Sequence, residues 1–217
     1  MATVYADSSD GYVTKSSTSN WASARDASSG TALSTGTNSM LAIRSGHFAG
    51  RGGTTWIVTR VFMYFDTSGI TSTLASATLK IRGRINNSAD FYVVKSTHGT
   101  SLANGDFDAI TGWSSGADNR GNVTAYSGNI TTWNNSAYND ITLNATALSD
   151  MVSLNDFTIC LIESSYDLPN SEPPLNTDVY SGMYFQNQSG TSYDPYIDYT
   201  VATTTVTENA TFFGTNF

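Results

Sequence analysis

The segment Thr54–Asp66 restricts the fold more than any other part of the chain. Read with the period of two that a strand imposes, Ile57, Thr59, Val61, Met63 and Phe65 fall on one face and Trp56, Val58, Arg60, Phe62 and Tyr64 on the other. Both faces are largely apolar, so this strand has to be central and covered on both sides. Arg60 sits in the middle of that run. A buried guanidinium needs partners, and the expectation is a structural role, held by a carboxylate or by loop carbonyls. Asp66 ends the strand and is expected to cap the turn Asp66-Thr67-Ser68-Gly69, also a structural role.

The rest of the chain supplies partners for such a strand. In Ser76–Ile85, Ala77, Leu79, Ile81, Gly83 and Ile85 point inward and Thr78, Lys80, Arg82 and Arg84 outward, so the three cations form a small stripe on the solvated side of a sheet. Further strands are expected around Asp7–Gly11, at Met40–Arg44, Asp90–Lys95, Phe157–Glu163, Val179–Gln186 and Tyr196–Val201, with two weak ones in 122–143. Residues 16–36 read as a long loop or weak edge strands, Gly46–Gly53 as a glycine-rich loop, and 96–121 and 164–176 as loops, the last holding three of the four prolines. One short helix is predicted at Ala145–Val152, capped by Asn144, with Leu148, Met151 and Val152 sharing a face. The total, about nine to eleven strands, predicts an all-β chain: a single β-sandwich or jelly roll over residues 1–201, followed by a C-terminal arm over 202–217.

Composition agrees and narrows function. Only 13% of the 217 residues are charged, against roughly 25% in an ordinary soluble domain. Few Glu and Lys remain for the faces of a helical bundle. With 10 Lys+Arg against 18 Asp+Glu the net charge is −8, and the cations are scattered, which excludes a phosphate-backbone partner. Aromatic residues at 12% speak against disorder. Cys160 is alone in the apolar run 157–162 and is expected to be a buried, inert thiol. No apolar stretch approaches the roughly 18–20 residues of a membrane span. The first residues show no basic and apolar leader pattern, so the expectation is a complete frame without a secretion signal.

Chemistry-bearing residues are sparse. His47 and His98 lie in glycine-containing stretches with no Gly-x-Ser-x-Gly elbow, and Glu163, Glu172 and Glu208 have no context that marks a catalytic acid, so the expectation is a non-enzyme. Asp7 and Asp10, at D-x-x-D spacing in a loop, are the candidate metal ligands, with Ca²⁺ as the ion; the competing role is ordinary turn capping, and no cofactor is required. Trp113, Trp133 and Tyr126 stand in polar stretches and are the candidate carbohydrate-stacking rings. In the arm, Phe212, Phe213 and Phe217 are apolar enough to demand cover. Either they fill a gap in their own domain, or they form an assembly arm that docks on a neighbouring subunit.

The order of motifs adds to this reading. Asp10-Gly11-Tyr12-Val13 is followed by Arg60-Val61-Phe62-Met63-Tyr64-Phe65-Asp66-Thr67-Ser68-Gly69-Ile70, then Ser76-Ala77-Thr78-Leu79, and finally Pro195-Tyr196-Ile197-Asp198-Tyr199. This succession resembles the DNRLRE-type β-sandwich domains, with the specific part in residues 60–81. The resemblance implies a sandwich fold and a carbohydrate-binding-module-like character. Such domains sit in secreted polysaccharide-processing proteins and, as stand-alone frames, among the structural proteins of tailed phages. The expected function is therefore a non-enzymatic virion subunit (capsid decoration, head fibre or tail-associated) with adhesion to host-surface glycan. Other virion proteins and copies of itself are the expected partners. The alternative is a carbohydrate-binding module of a polysaccharide-processing system.

Overall fold

The computed structural model describes residues 1–186 and 189–203. Among these, the strands are β1 (Ala2–Tyr5), β2 (Gly11–Ser17), β3 (Ala32–Ser34), β4 (Asn38–Gly50), β5 (Gly53–Asp66), β6 (Leu74–Asn87), β7 (Phe91–Lys95), β8 (Tyr138–Thr142), β9 (Asp156–Glu163), β10 (Thr177–Tyr184) and β11 (Tyr196–Val201). Two helices, α1 (Trp21–Arg25) and α2 (Ala145–Ser153), accompany them. The paired strands run antiparallel and join into one sheet that makes an all-β, sandwich-like fold. One part of it has the order β1-β11-β6-β8; the other groups β3, β2, β5, β9 and β7. Strands β4 and β10 link the two parts, because β4 pairs with β5 and β10, and β10 with β6.

β5 is the central strand that its two apolar faces require. Val61, Met63 and Phe65 enter the main core, where they meet Leu79 and Ile81 of β6, Phe157, Ile159 and Leu161 of β9, and Ala147 and Met151 of α2. Val58 and Phe62, on the opposite face, enter a second core with Val13, Trp21, Ala24, Phe107, Cys160, Ile162 and Leu168. That second core is roofed by α1 and by the loops after β7 and β9, rather than by another sheet. Burying a Leu, Ile or Phe side chain contributes about 1.5–3 kcal/mol, so both faces add to the stability of β5.

Arg60 projects into the second core and is completely buried. Its Nε and Nη2 donate to both oxygens of Asp167 at 2.8 and 2.7 Å, its Nη1 to the Phe107 carbonyl at 2.7 Å, and its Nη2 also to the Arg25 carbonyl at 3.0 Å. Arg25 is buried as well: its Nε donates to the Asp167 carbonyl at 2.6 Å, and its Nη2 to the Ala117 carbonyl at 2.9 Å. Asp167 is placed by Glu163, whose carboxylate ends β9 and accepts the backbone N–H groups of Ser165, Tyr166 and Asp167 and the Ser45 hydroxyl. Burial pushes the Glu163 carboxyl up, and those four donors oppose the shift.

Several segments depart from expectation. Residues 16–36 contain a second helix, α1, begun by Asn20, whose side chain accepts from Ser23 N–H at 2.8 Å; five residues are too few to show a helical period. The glycine-rich stretch 46–53 is no loop. It is the end of β4 and a two-residue hairpin into β5, with Gly50 opposite Gly53. Gly53 suits the turn because its φ is +117°, and Gly46 leaves room for the tip of the Phe48 ring, which a Cβ would approach to 2.6 Å. Of the two strands expected in 122–143 only β8 forms; Ala125 and Ile130 make single bridges to Val94 and Phe91. The helix at 145–153 forms as predicted, with Asn144 accepting from Ala147 N–H. The arm residues Phe212, Phe213 and Phe217 lie outside the described residues.

Replacing Arg60 by Ala or Lys should destabilise the protein by about 3–5 kcal/mol, because Asp167 is then left buried without its bidentate partner. Urea unfolding of the two variants against the parent chain measures this; a loss below about 1 kcal/mol would show that the cluster is not a structural anchor.

Candidate functional site

The outward side of β1-β11-β6-β8 carries an aromatic and cationic surface. Register places Tyr5 opposite Tyr196, Tyr196 opposite Lys80, Lys80 opposite Asp140, and Arg82 opposite Tyr138. The alternate residues Leu79, Ile81, Ile141 and Ile197 point into the core, so the pleat itself turns this set toward solvent. Tyr196 touches Tyr5 with 5.5 Å between ring centroids and meets Tyr138 edge to face at 5.2 Å. Beside them Tyr193 stacks on Tyr184 at 4.8 Å. The Arg82 guanidinium lies 4.7 Å from the Tyr193 ring centre, and that of Arg84 6.0 Å from Tyr184. Tyr5 and Tyr193 are exposed, and Tyr138, Tyr184 and Tyr196 half-buried.

Charge sets the two arginines apart from most cations of the chain. Arg25, Arg44, Arg60, Lys80, Lys95 and Arg120 each have a carboxylate within ion-pair distance. Among the described residues Arg82 and Arg84 have none, nor do Lys15 of β2 and Arg51 of the β4–β5 turn; Arg84 donates to the neutral Asn38 side chain, and Arg82 Nε is buried without a hydrogen-bond partner. In a chain of net charge −8, two neighbouring unpaired guanidiniums on tyrosine rings give one sheet face a local positive character. Flat rings with guanidinium and hydroxyl donors beside them can stack on a sugar and bond its oxygens.

The three rings expected to stack sugar are elsewhere. Trp133 is buried, donates its indole N–H to the Gly182 carbonyl at 3.1 Å and packs edge to face on Phe91. Tyr126 is buried, stacks on Phe157 and donates its hydroxyl to Asp150 at 2.6 Å. Neither presents a ring to solvent, so both are corrected to core residues. Trp113 is half-buried and lies under the Arg60 and Arg25 guanidiniums, 4.0 and 4.4 Å from its ring centre, where it serves the buried cluster. The stripe Lys80, Arg82 and Arg84 was legible as an outward face. The tyrosines that join it come from four other parts of the chain, and only strand register brings them together.

The remaining candidates each have a structural partner. Asp66 ends β5 and accepts from Ser68 N–H at 3.0 Å; the Ser68 hydroxyl first, and that N–H second, hold its carboxyl below the usual range. Asp7 is exposed and accepts from Ser9 N–H, a turn role. Asp10 is fully buried, and both of its oxygens receive Gln186 N–H. Among the described residues no group of three or more His, Cys, Asp or Glu gathers to hold a metal ion. His47 stacks on Trp56 at 4.7 Å, and its Nδ1 lies 2.7 Å from the Pro173 carbonyl.

His98 and Ser96 line a cleft of about 210 Å³, with Nδ1 2.8 Å from the Ser96 hydroxyl oxygen. That hydroxyl donates to the Ala109 carbonyl at 2.6 Å and accepts from His98 N–H. The imidazole Nδ1–H is thus the donor to Ser96 Oγ, the reverse of what a general base requires. Burial pushes His98 down to about 4, so it stays neutral near pH 7. Burial also raises the Cys160 thiol well above its usual value.

Burial raises Asp10 to about 8, against the opposing Gln186 N–H and with smaller contributions from Asp194 and Asp7. The folded state therefore binds a proton that the unfolded chain, with a carboxyl near 3.8, has released. Its contribution is complete below about pH 4 and is lost as pH rises to about 8, roughly 2–4 kcal/mol between pH 5 and 8. Asp10→Asn should flatten that slope and stabilise the protein at pH 8; thermal melts at pH 5 and pH 8 check it, and an unchanged slope would remove Asp10 as its cause.

In comparison with known proteins, no family model matches the chain and no curated protein matches it.

Proposed function

We propose that this chain is a non-enzymatic β-sandwich subunit of a tailed-phage particle, and that its outer tyrosine–arginine face adheres to glycan on the host surface. The observation that carries the proposal is the set of exposed Tyr5 and Tyr193 and half-buried Tyr138, Tyr184 and Tyr196, with Arg82 and Arg84 beside it without a carboxylate partner. The non-enzymatic reading rests on the direction of the Ser96–His98 hydrogen bond and on the dispersal of the carboxylates. The virion reading rests on the resemblance of residues 60–81 to DNRLRE-type domains and on a surface poor in charge. Its partners would then be other virion proteins and copies of itself, with no nucleic acid. The same face serves equally in a carbohydrate-binding module of a polysaccharide-processing system; detection of the chain in purified phage particles by mass spectrometry separates the two.

A glycan array followed by calorimetry tests the adhesion. Tyr193→Ala and Arg82→Ala should each weaken the retained glycan by about tenfold, about 1.4 kcal/mol. Trp133→Phe should leave affinity unchanged, since Trp133 is in the core. An array with no bound glycan, or equal binding by all variants, would refute the face as an adhesion site.

A further inference from the structure

An apolar groove lies between the start of β6 and the exposed side of α2. Thr73, Leu74, Ala145, Leu148, Ser149, Val152 and Ser153 line about 350 Å³ of open space. Leu148 and Val152 are only partly buried, although both lie on the apolar side of an otherwise well-packed helix. Nothing in the sandwich requires this: α2 already anchors itself through Ala147 and Met151. A cavity of about 150 Å³ holds one benzene, so a groove of about 350 Å³ has room for about two phenyl rings.

The chain leaves the described residues at the rim of this groove. Val201 pairs with Leu74, and Ala202 N–H donates to the Thr73 carbonyl at 2.8 Å. Residues 204–217, which lie outside the described residues, contain Phe212, Phe213 and Phe217. From Thr203 to Phe212 an extended chain reaches about 30 Å, at about 3.3 Å per residue. A flexible one has an r.m.s. span of about 17 Å. Both are enough to return across a two-turn helix whose groove begins beside Thr73. Attachment at the rim also gives the segment a millimolar effective concentration at its own groove, above that of any second copy in dilute solution.

We propose that the groove over α2 is the docking site of the segment Thr211–Phe217 of the same chain, with the Phe212 and Phe213 rings seated against Leu74, Leu148 and Val152. The arm is then an intramolecular cover for the α2 face. This stands apart from the adhesion reading, since it uses the opposite end of β6 and none of the tyrosines, and either can fail without the other.

The test uses the full chain carrying Val152→Cys and Phe213→Cys, prepared as an equal mixture of ¹⁴N and ¹⁵N protein and treated with a short bismaleimide. Cys160 is buried and does not compete. Cross-linked peptides that are only light–light or heavy–heavy support docking within one chain. Mixed light–heavy peptides would place the arm on a second copy and overturn the proposal, and so would the absence of any 152–213 link. Methyl NMR of the chain without the two introduced cysteines gives an independent reading. The Leu148 and Val152 methyl signals should be ring-current shifted, and Phe212→Ser with Phe213→Ser should abolish the shift; methyl signals identical in the two proteins would overturn the proposal as well.

Discussion

The buried contact between Arg60 and Asp167 organises half of the molecule. Asp167 accepts two hydrogen bonds from Arg60 through its carboxylate and one from Arg25 through its carbonyl, while its N–H is held by Glu163. Each bond ties a different segment to β5: helix α1 through Arg25, the loop after β9 through Asp167, and the loop after β7 through the Phe107 and Ala117 carbonyls. These segments have no ladder to order them. Their backbone groups and the guanidiniums satisfy each other instead, and Phe107 and Trp113 cover the charges with aromatic surface.

That arrangement also sets where the molecule can offer a binding surface. Loops cover the far side of β5, and the near side of β5 faces the main core, so neither is free. The side left open is the outside of β1-β11-β6-β8, where the pleat presents tyrosines and arginines. The glycan reading therefore belongs to a sheet face rather than to the long loops. Those loops, rich in Ser, Gly and Asn, serve as a roof over the second core.

Particular residues show how far the sequence could be read. The alternation in Thr54–Asp66 announced a strand with two covered faces, and Arg60 as a buried cation in need of partners. Helix α2 was visible from Asn144 and the spacing of Leu148, Met151 and Val152. Helix α1 was not visible, because a single turn has no period to detect and its stability comes from Trp21, Ala24 and Arg25 packing into the second core. β4 was cut short in the reading because Gly46 and Gly50 resemble loop residues; in place, Gly46 answers the close approach of Phe48. Trp133 and Tyr126 looked exposed from their polar neighbours, yet both are anchors that pin irregular segments to the core.

By itself, the sequence determined the class of fold, the central strand, the outward stripe Lys80, Arg82 and Arg84, and the need to pair Arg60. Each of these follows from local periodicity or from the desolvation cost of one charge, and neither depends on distant residues. The tertiary structure alone decided which carboxylate meets Arg60, 107 residues away in sequence. It also decided which tyrosines share a face and which aromatic rings are buried. Those outcomes depend on antiparallel register between strands far apart in the chain, where a slip of one residue would send every side chain to the opposite face.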